Sequence, residues 1–140
     1  MTRYLLDTDT LSHVLREPSG TVARRIAVVG EQAVATTPIV AGELRFGARR
    51  SGSHPLVERV DELLARLQVL PLDDRVAMAY ADVRRALEQV GTPFPPNDLW
   101  IAAHALTEER IVVTGNVREF RRVAGLGVED WREALGAASP

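Results

Sequence analysis

Short apolar runs alternate along this chain with longer stretches whose apolar residues recur every three or four positions. Arg3 to Leu6, Ala33 to Thr36, Val69 to Leu72 and Ile111 to Val113 are runs of strand length, and Gly127-Val128-Glu129 offers a short fifth. Between them lie helical patterns. Thr8 to Arg16 is broken by Glu17-Pro18-Ser19-Gly20 and resumes from Thr21 to Val29. Thr37 followed by Pro38 is a helix start, with Ile39, Val40, Leu44 and Phe46 as its apolar side. His54-Pro55 opens a helix to Leu67, with Leu56, Val60, Leu63, Leu64 and Leu67 at helical spacing. Asp73 to Val90 forms another helix, ended by Gly91; "GTPFPPND" is a rigid loop, and Asn97 is placed to cap a helix through Thr107. This alternation predicts a three-layer α/β/α sandwich around a parallel sheet of four to five strands, with residues 1–140 as a single domain. In such sheets, function gathers at the carboxyl ends of the strands.

Composition narrows the chemistry. At 140 residues the chain can bury a core without staples. It has no cysteine, which excludes disulfides, thiolate zinc sites and a cysteine nucleophile. All 17 basic residues are arginine, so Schiff-base chemistry and a lysine phosphate clamp are excluded, while arginine remains a good phosphate ligand. A net charge of −2 gives no basic footprint for nucleic acid. No apolar segment reaches the roughly 18 residues of a membrane span and nothing resembles a signal peptide, so the expected location is the cytoplasm, away from any membrane.

The polar residues at the strand ends carry the argument. Asp7 and Asp9 follow the first strand, and Thr114 and Asn116 follow the fourth. Glu43 lies near the start of the helix after the second strand, and Asp98 in the first turn of the helix before the fourth. Each has a structural alternative: Asp7 or Asp9 as a helix cap, Asp98 as a partner of the helix dipole, Glu43 in a salt bridge, Asn116 in a turn. Together they deliver acids to one rim, where close carboxylate pairs repel by about 1–4 kcal/mol. A cation relieves that repulsion. With all-oxygen donors the candidates are Mg²⁺ or Mn²⁺, and the implied chemistry is metal-assisted hydrolysis of a phosphodiester.

Four blocks, "LLDTDTLS", "TPIVAGELRFGARR", "PNDLWIAAHA" and "VVTGNVREFRRVAGLGVEDW", resemble in order the signature segments of the PIN-domain family, and among them the VapC-type toxins of toxin–antitoxin pairs. The resemblance runs from Leu5 to Trp131. It implies a Mg²⁺-dependent, site-specific endoribonuclease that inhibits translation by cutting tRNA or ribosomal RNA. By position, Asp7 and Asp98 match the principal metal ligands and Glu43 the second acid, which binds metal directly or through water. Thr114 and Asn116 match the polar pair after the fourth strand, and Glu119 the acid of the "REF" tail. The resemblance also implies a VapB-like antitoxin and a homodimer. Two positions depart from the pattern: Asp9 stands where relatives more often have Asn, and Asn116 where many have Asp. The fourth acidic position therefore falls to Asp9, Asn116 or Glu119.

Other readings compete. "DTDT" looks like the start of haloacid-dehalogenase-like phosphatases, but Leu11 stands where Thr or Val belongs and the required lysine is missing, as it is for a receiver domain. A housekeeping RNA-processing nuclease shares the chemistry of the toxin. A non-catalytic, regulatory subunit on the same fold is opposed by the intact Asp7, Glu43 and Asp98. His13 and His104 lie among apolar helix residues, and Trp100 reads as a packing residue.

Overall fold

Three consecutive apolar residues, Tyr4–Leu6, form the central strand β1 and are buried throughout. In the computed structural model, which describes residues 1–133, β1 is flanked by β2 (Val34–Thr36) and β4 (Ile111–Val113). β3 (Gln68–Val69) and β5 (Val128–Glu129) form the edges, giving the order β3-β2-β1-β4-β5 with every pairing parallel. Strands buried on both faces need continuous apolar runs, which is what "YLL" and "IVV" supply.

The connections are helical. α1 (Thr8–Arg16) and α2 (Thr21–Val29) join β1 to β2 through a short 3-10 turn, Glu31–Ala33; α3 (Pro38–Ser51) and α4 (His54–Arg66) join β2 to β3. α5 (Asp74–Gln89) and α6 (Pro96–Thr107) carry the chain back across the sheet to β4, and α7 (Val117–Phe120) leads to β5. The chain moves outward in one direction to β3 and in the opposite direction from β4. Right-handed crossovers therefore put α1–α4 on one face and α5–α7 on the other, the expected three-layer sandwich. Leu5, Leu6, Val34, Val40, Ile101 and Phe120 meet in the core between them.

The helix starts obey their local chemistry. Asp7 caps α1, Thr37 caps α3 ahead of Pro38, Ser53 caps α4 and Asp73 caps α5, each by accepting from a backbone N–H of the first turn. Two expectations need correction. α6 begins at Pro96 with Pro95 before it, so Asn97 lies inside the helix and does not cap it; proline at the first helical position already suits that start. β3 ends at Val69, since its ladder pairs only Gln68 with Ala35 and Val69 with Thr36. Leu70 adds one backbone hydrogen bond to Thr36, and Pro71 has no N–H to extend the ladder.

The order reverses at β1: the chain leaves it toward β2 and β3, and returns on its other side as β4 and β5. The gap between the carboxyl ends of β1 and β4 is thus the topological switch point, where open α/β sheets place their sites. Hydroxyls tie the strand ends there. Thr10 Oγ1 donates to the Val113 carbonyl at 3.0 Å, and Thr36 Oγ1 to the Leu6 carbonyl at 2.8 Å. Both bonds are buried, so the rim is a fixed edge.

Candidate active site

Asp7 is the first residue beyond β1. Its backbone N–H still belongs to the sheet, donating to the Val113 carbonyl at 3.1 Å, and its Oδ1 accepts from the Thr10 N–H at 3.0 Å. It is only 6% exposed. Burial raises its pKa above the ordinary carboxylate value; the Thr114 hydroxyl and Thr10 work against that shift, and the charge of Asp9 adds to it. The cap and the candidate ligand are therefore one side chain. Asp9, the other acid of the pair, lies exposed in the first turn of α1.

Asp98 faces the same place from α6. Three residues into its helix, it has the favourable end of the helix dipole behind it, which lowers a carboxylate's pKa. That effect loses here. Burial, followed by the charges of Asp7, Glu43, Glu119 and Asp9, pushes the Asp98 carboxyl up to about 6. Four acids from three other stretches of chain thus act on one carboxyl group, as the sequence pattern predicts. Glu43 reaches the rim from α3, where its Oε1 accepts from the Thr8 hydroxyl at 2.7 Å. Among the described residues that hydroxyl, and no basic side chain, is its hydrogen-bond partner, which removes the salt-bridge alternative. Thr8 is a residue the sequence reading missed. It lies 35 positions away from Glu43, and no local pattern links them.

Thr114 is wholly buried after β4, and its Oγ1 accepts from the Asn116 N–H at 2.9 Å. Asn116 itself is exposed and starts α7 through its backbone, its side chain making no capping bond. Glu119 is paired with Arg122, which also donates to the Thr92 carbonyl at 2.8 Å and the Pro93 carbonyl at 3.2 Å. Glu119 acts on Asp98 by its charge while held by an arginine. His13 pairs with Glu17 at 3.0 Å and His104 is fully buried in α6, both away from this chemistry. Trp100 stacks on Tyr80 with ring centroids 3.9 Å apart, a packing role.

The donors fit a hard divalent cation. They are all oxygens, and the pKa of Asp98, raised first by burial and then by the neighbouring carboxylates, includes a charge repulsion that a cation would relieve. Among the described residues no three carboxylate or imidazole groups are arranged to enclose an ion unaided. An ion of Mg²⁺ type is commonly held by one or two carboxylates and keeps several waters.

Comparison with known proteins bears on the family and the fold. The family model described as "PIN domain" matches residues 4–126. The chain is 32% identical to the tRNA(fMet)-specific endonuclease VapC of Salmonella typhimurium, over 94% of this chain and 99% of that protein. It is 29% identical to Ribonuclease VapC2 of Rickettsia felis, over 91% and 97% respectively. Among solved structures it superposes on DNA-bound VapBC from Salmonella typhimurium with a TM-score of 0.87 at 32% identity, covering 94% of this chain and 99% of that one. For VapBC2 from Rickettsia felis bound to a promoter fragment, the TM-score is 0.85 at 28% identity, covering 93% and 99%. The chain belongs to the PIN-domain family, among its VapC-type ribonucleases.

Proposed function

We propose that this chain is a Mg²⁺-dependent, site-specific endoribonuclease, the toxin of a toxin–antitoxin pair, working as one domain in the cytoplasm. The observation that carries the reading is the half-buried Asp98 carboxyl, acted on by the charges of Asp7, Glu43, Glu119 and Asp9. Perturbed acids in a cleft of this kind are expected at catalytic sites.

In this reading Asp7 and Asp98 hold the metal and Glu43 completes the set. Manganese, with similar oxygen preferences, would substitute. When bound, the cation neutralises charge on the scissile phosphate and eases ionisation of the attacking water. The chain's residues do the rest. Glu43, with one oxygen engaged by Thr8, has the other to accept a proton from water. Asp7 is fixed by Thr10 and the sheet, so its carboxylate is pre-aimed. Thr114 and Asn116 orient water or substrate on the β4 side, and Glu119 with Arg122 closes the rim.

The substrate class follows the relatives. A tRNA is favoured over ribosomal RNA because a relative at 32% identity is named for tRNA(fMet). The partner is a VapB-like antitoxin, in keeping with solved neighbours that are VapBC complexes. An open groove of about 420 Å³ runs from Thr8 and Glu43 past Leu15 and Leu56 to Arg16 and Arg59, and would accept an antitoxin segment beside the acids. A homodimer is proposed on the family pattern alone.

The test is cleavage of purified tRNA and ribosomal RNA in Mg²⁺, in Mn²⁺ and in EDTA. Specific cuts that require the cation and vanish in Asp7→Asn support the reading. Cleavage that survives EDTA or the substitution would refute it.

A further inference from the structure

We propose that Arg132 is a substrate-phosphate contact of this nuclease site, binding RNA through its guanidinium at the rim beside Gly115. The inference rests on the nuclease reading and extends it to a residue outside the acidic set.

An acidic cluster repels the polyanion it is meant to cut. A bound cation offsets part of that repulsion, and an arginine on the rim offsets more while adding directed N–H donors. Arg132 occupies that place. Its side chain lies flat on Gly115, between Thr114 and Asn116 in the loop that leaves β4. A Cβ at position 115 would overlap the guanidinium outright, so any larger residue there would push the Arg132 side chain off its seat; no positive backbone angle calls for the glycine.

The guanidinium is held in place. Its Nε and Nη2 donate to the two oxygens of Asp130 at 3.2 and 3.3 Å, and Nη2 also donates to the Gly115 carbonyl at 3.3 Å. Asp130 is the main stabiliser of its charge, with Asp9 and Asp7 of the acidic site adding to it. Among the described residues Nη1 makes no hydrogen bond to the protein, and the side chain is 41% exposed. Two N–H groups therefore have no acceptor among the described residues while the arginine is already oriented, which suits a phosphate oxygen.

The rival explanation is that Arg132 merely fastens the C-terminal segment to the β4 loop. The segment has other anchors. The Arg132 carbonyl accepts from the Thr21 hydroxyl at 2.8 Å, and the neighbouring Trp131 is buried against Tyr4 with its Nε1 on Glu129. None of these contacts needs the guanidinium, so its removal should leave the fold intact.

The experiment measures steady-state cleavage of tRNA in Mg²⁺ between 50 and 200 mM salt for wild type, Arg132→Gln, Arg132→Lys and Gly115→Ala, with melting temperatures alongside. Arg132→Gln is expected to lose about 10- to 100-fold in kcat/KM, mostly through KM. Its log–log salt dependence should become shallower by about 0.7–0.9, the loss of one phosphate contact. Arg132→Lys should restore the salt slope, and Gly115→Ala should reproduce Arg132→Gln by displacing the guanidinium. Wild-type kcat/KM in Arg132→Gln, or a loss with an unchanged salt slope, would overturn the inference and leave the nuclease reading standing. A wild-type chain that cuts no RNA in Mg²⁺ would instead remove that reading, and this inference with it.

Discussion

Two aspartates in this molecule do the same local task with opposite electrostatic outcomes. Asp7 caps α1 by accepting from the Thr10 N–H, and Asp73 caps α5 by accepting from the Arg75 N–H, each at 3.0 Å. Asp73 lies on the surface with the Arg75 guanidinium bonded to it, and its pKa falls below the ordinary value. Asp7 is buried at the end of the central strand, and its pKa rises. Capping accounts for Asp73 completely. It accounts for only one oxygen of Asp7, and leaves unexplained why a buried carboxylate is kept where other acids face it. The difference teaches that the motif does not mark the site; the surroundings do.

The sharpest way to break this comparison is to neutralise the two kinds of acid in turn. Asp98→Asn and Asp7→Asn should each lower RNA cleavage by about 10²–10⁴-fold, since a metal's charge stabilisation is worth several kcal/mol. Asparagine is as good a helix cap as aspartate, so Asp7→Asn should keep α1 intact. Next comes Glu43→Gln, expected to cost about 10²-fold in kcat if Glu43 takes the proton. An equal loss in Thr8→Val would show that the orientation of Glu43 matters as much as its charge.

A smaller effect lies in stability. The folded-state pKa of Asp98 is about 6, above the usual 3.8, so the native state binds this proton more tightly than the unfolded chain. Stability from this group is therefore present at low pH and lost as pH rises from about 4 through about 6. Asp7 contributes with the same sign, Asp73 with the opposite one: its contribution is lost as pH falls through the carboxylate range. In metal-free buffer at pH 7.5, Asp98→Asn should melt higher than wild type, by a few degrees for an effect on the order of 1 kcal/mol. The gap should close on acidification to pH 4.5. Calorimetry of the two proteins across that range checks it. Last, Asp73→Ala should lower the melting temperature slightly through the lost cap and leave cleavage unchanged.

Much of this was legible in the sequence because it was written locally. "YLL" and "IVV" are too short and too apolar to be anything but buried strands, and Thr37-Pro38 marks a helix start by chemistry confined to two residues. Asp7, Glu43 and Asp98 stand out as candidates in the sequence because parallel topology sends strand ends to a common edge. What stayed hidden depends on contacts across the fold. Proline at the first position of α6 outweighed Asn97 as its start, and the end of β3 was set by its partner β2. Glu119 matches the family by position, yet only the fold shows Arg122 holding it between α7 and the Thr92–Pro93 carbonyls. Arg132 carried no spacing signal beyond an aspartate two residues before it; its seat on Gly115 joins positions 17 apart.

The central claim is that mutual repulsion among these acids is relieved by a divalent ion. The most direct measurement is the melting temperature at pH 7.5 with EDTA and with millimolar Mg²⁺, for wild type and for Asp98→Asn. The account expects Mg²⁺ to raise the wild-type value by several degrees and to leave Asp98→Asn nearly unmoved. Equal shifts in both proteins, or no shift in wild type, would contradict it.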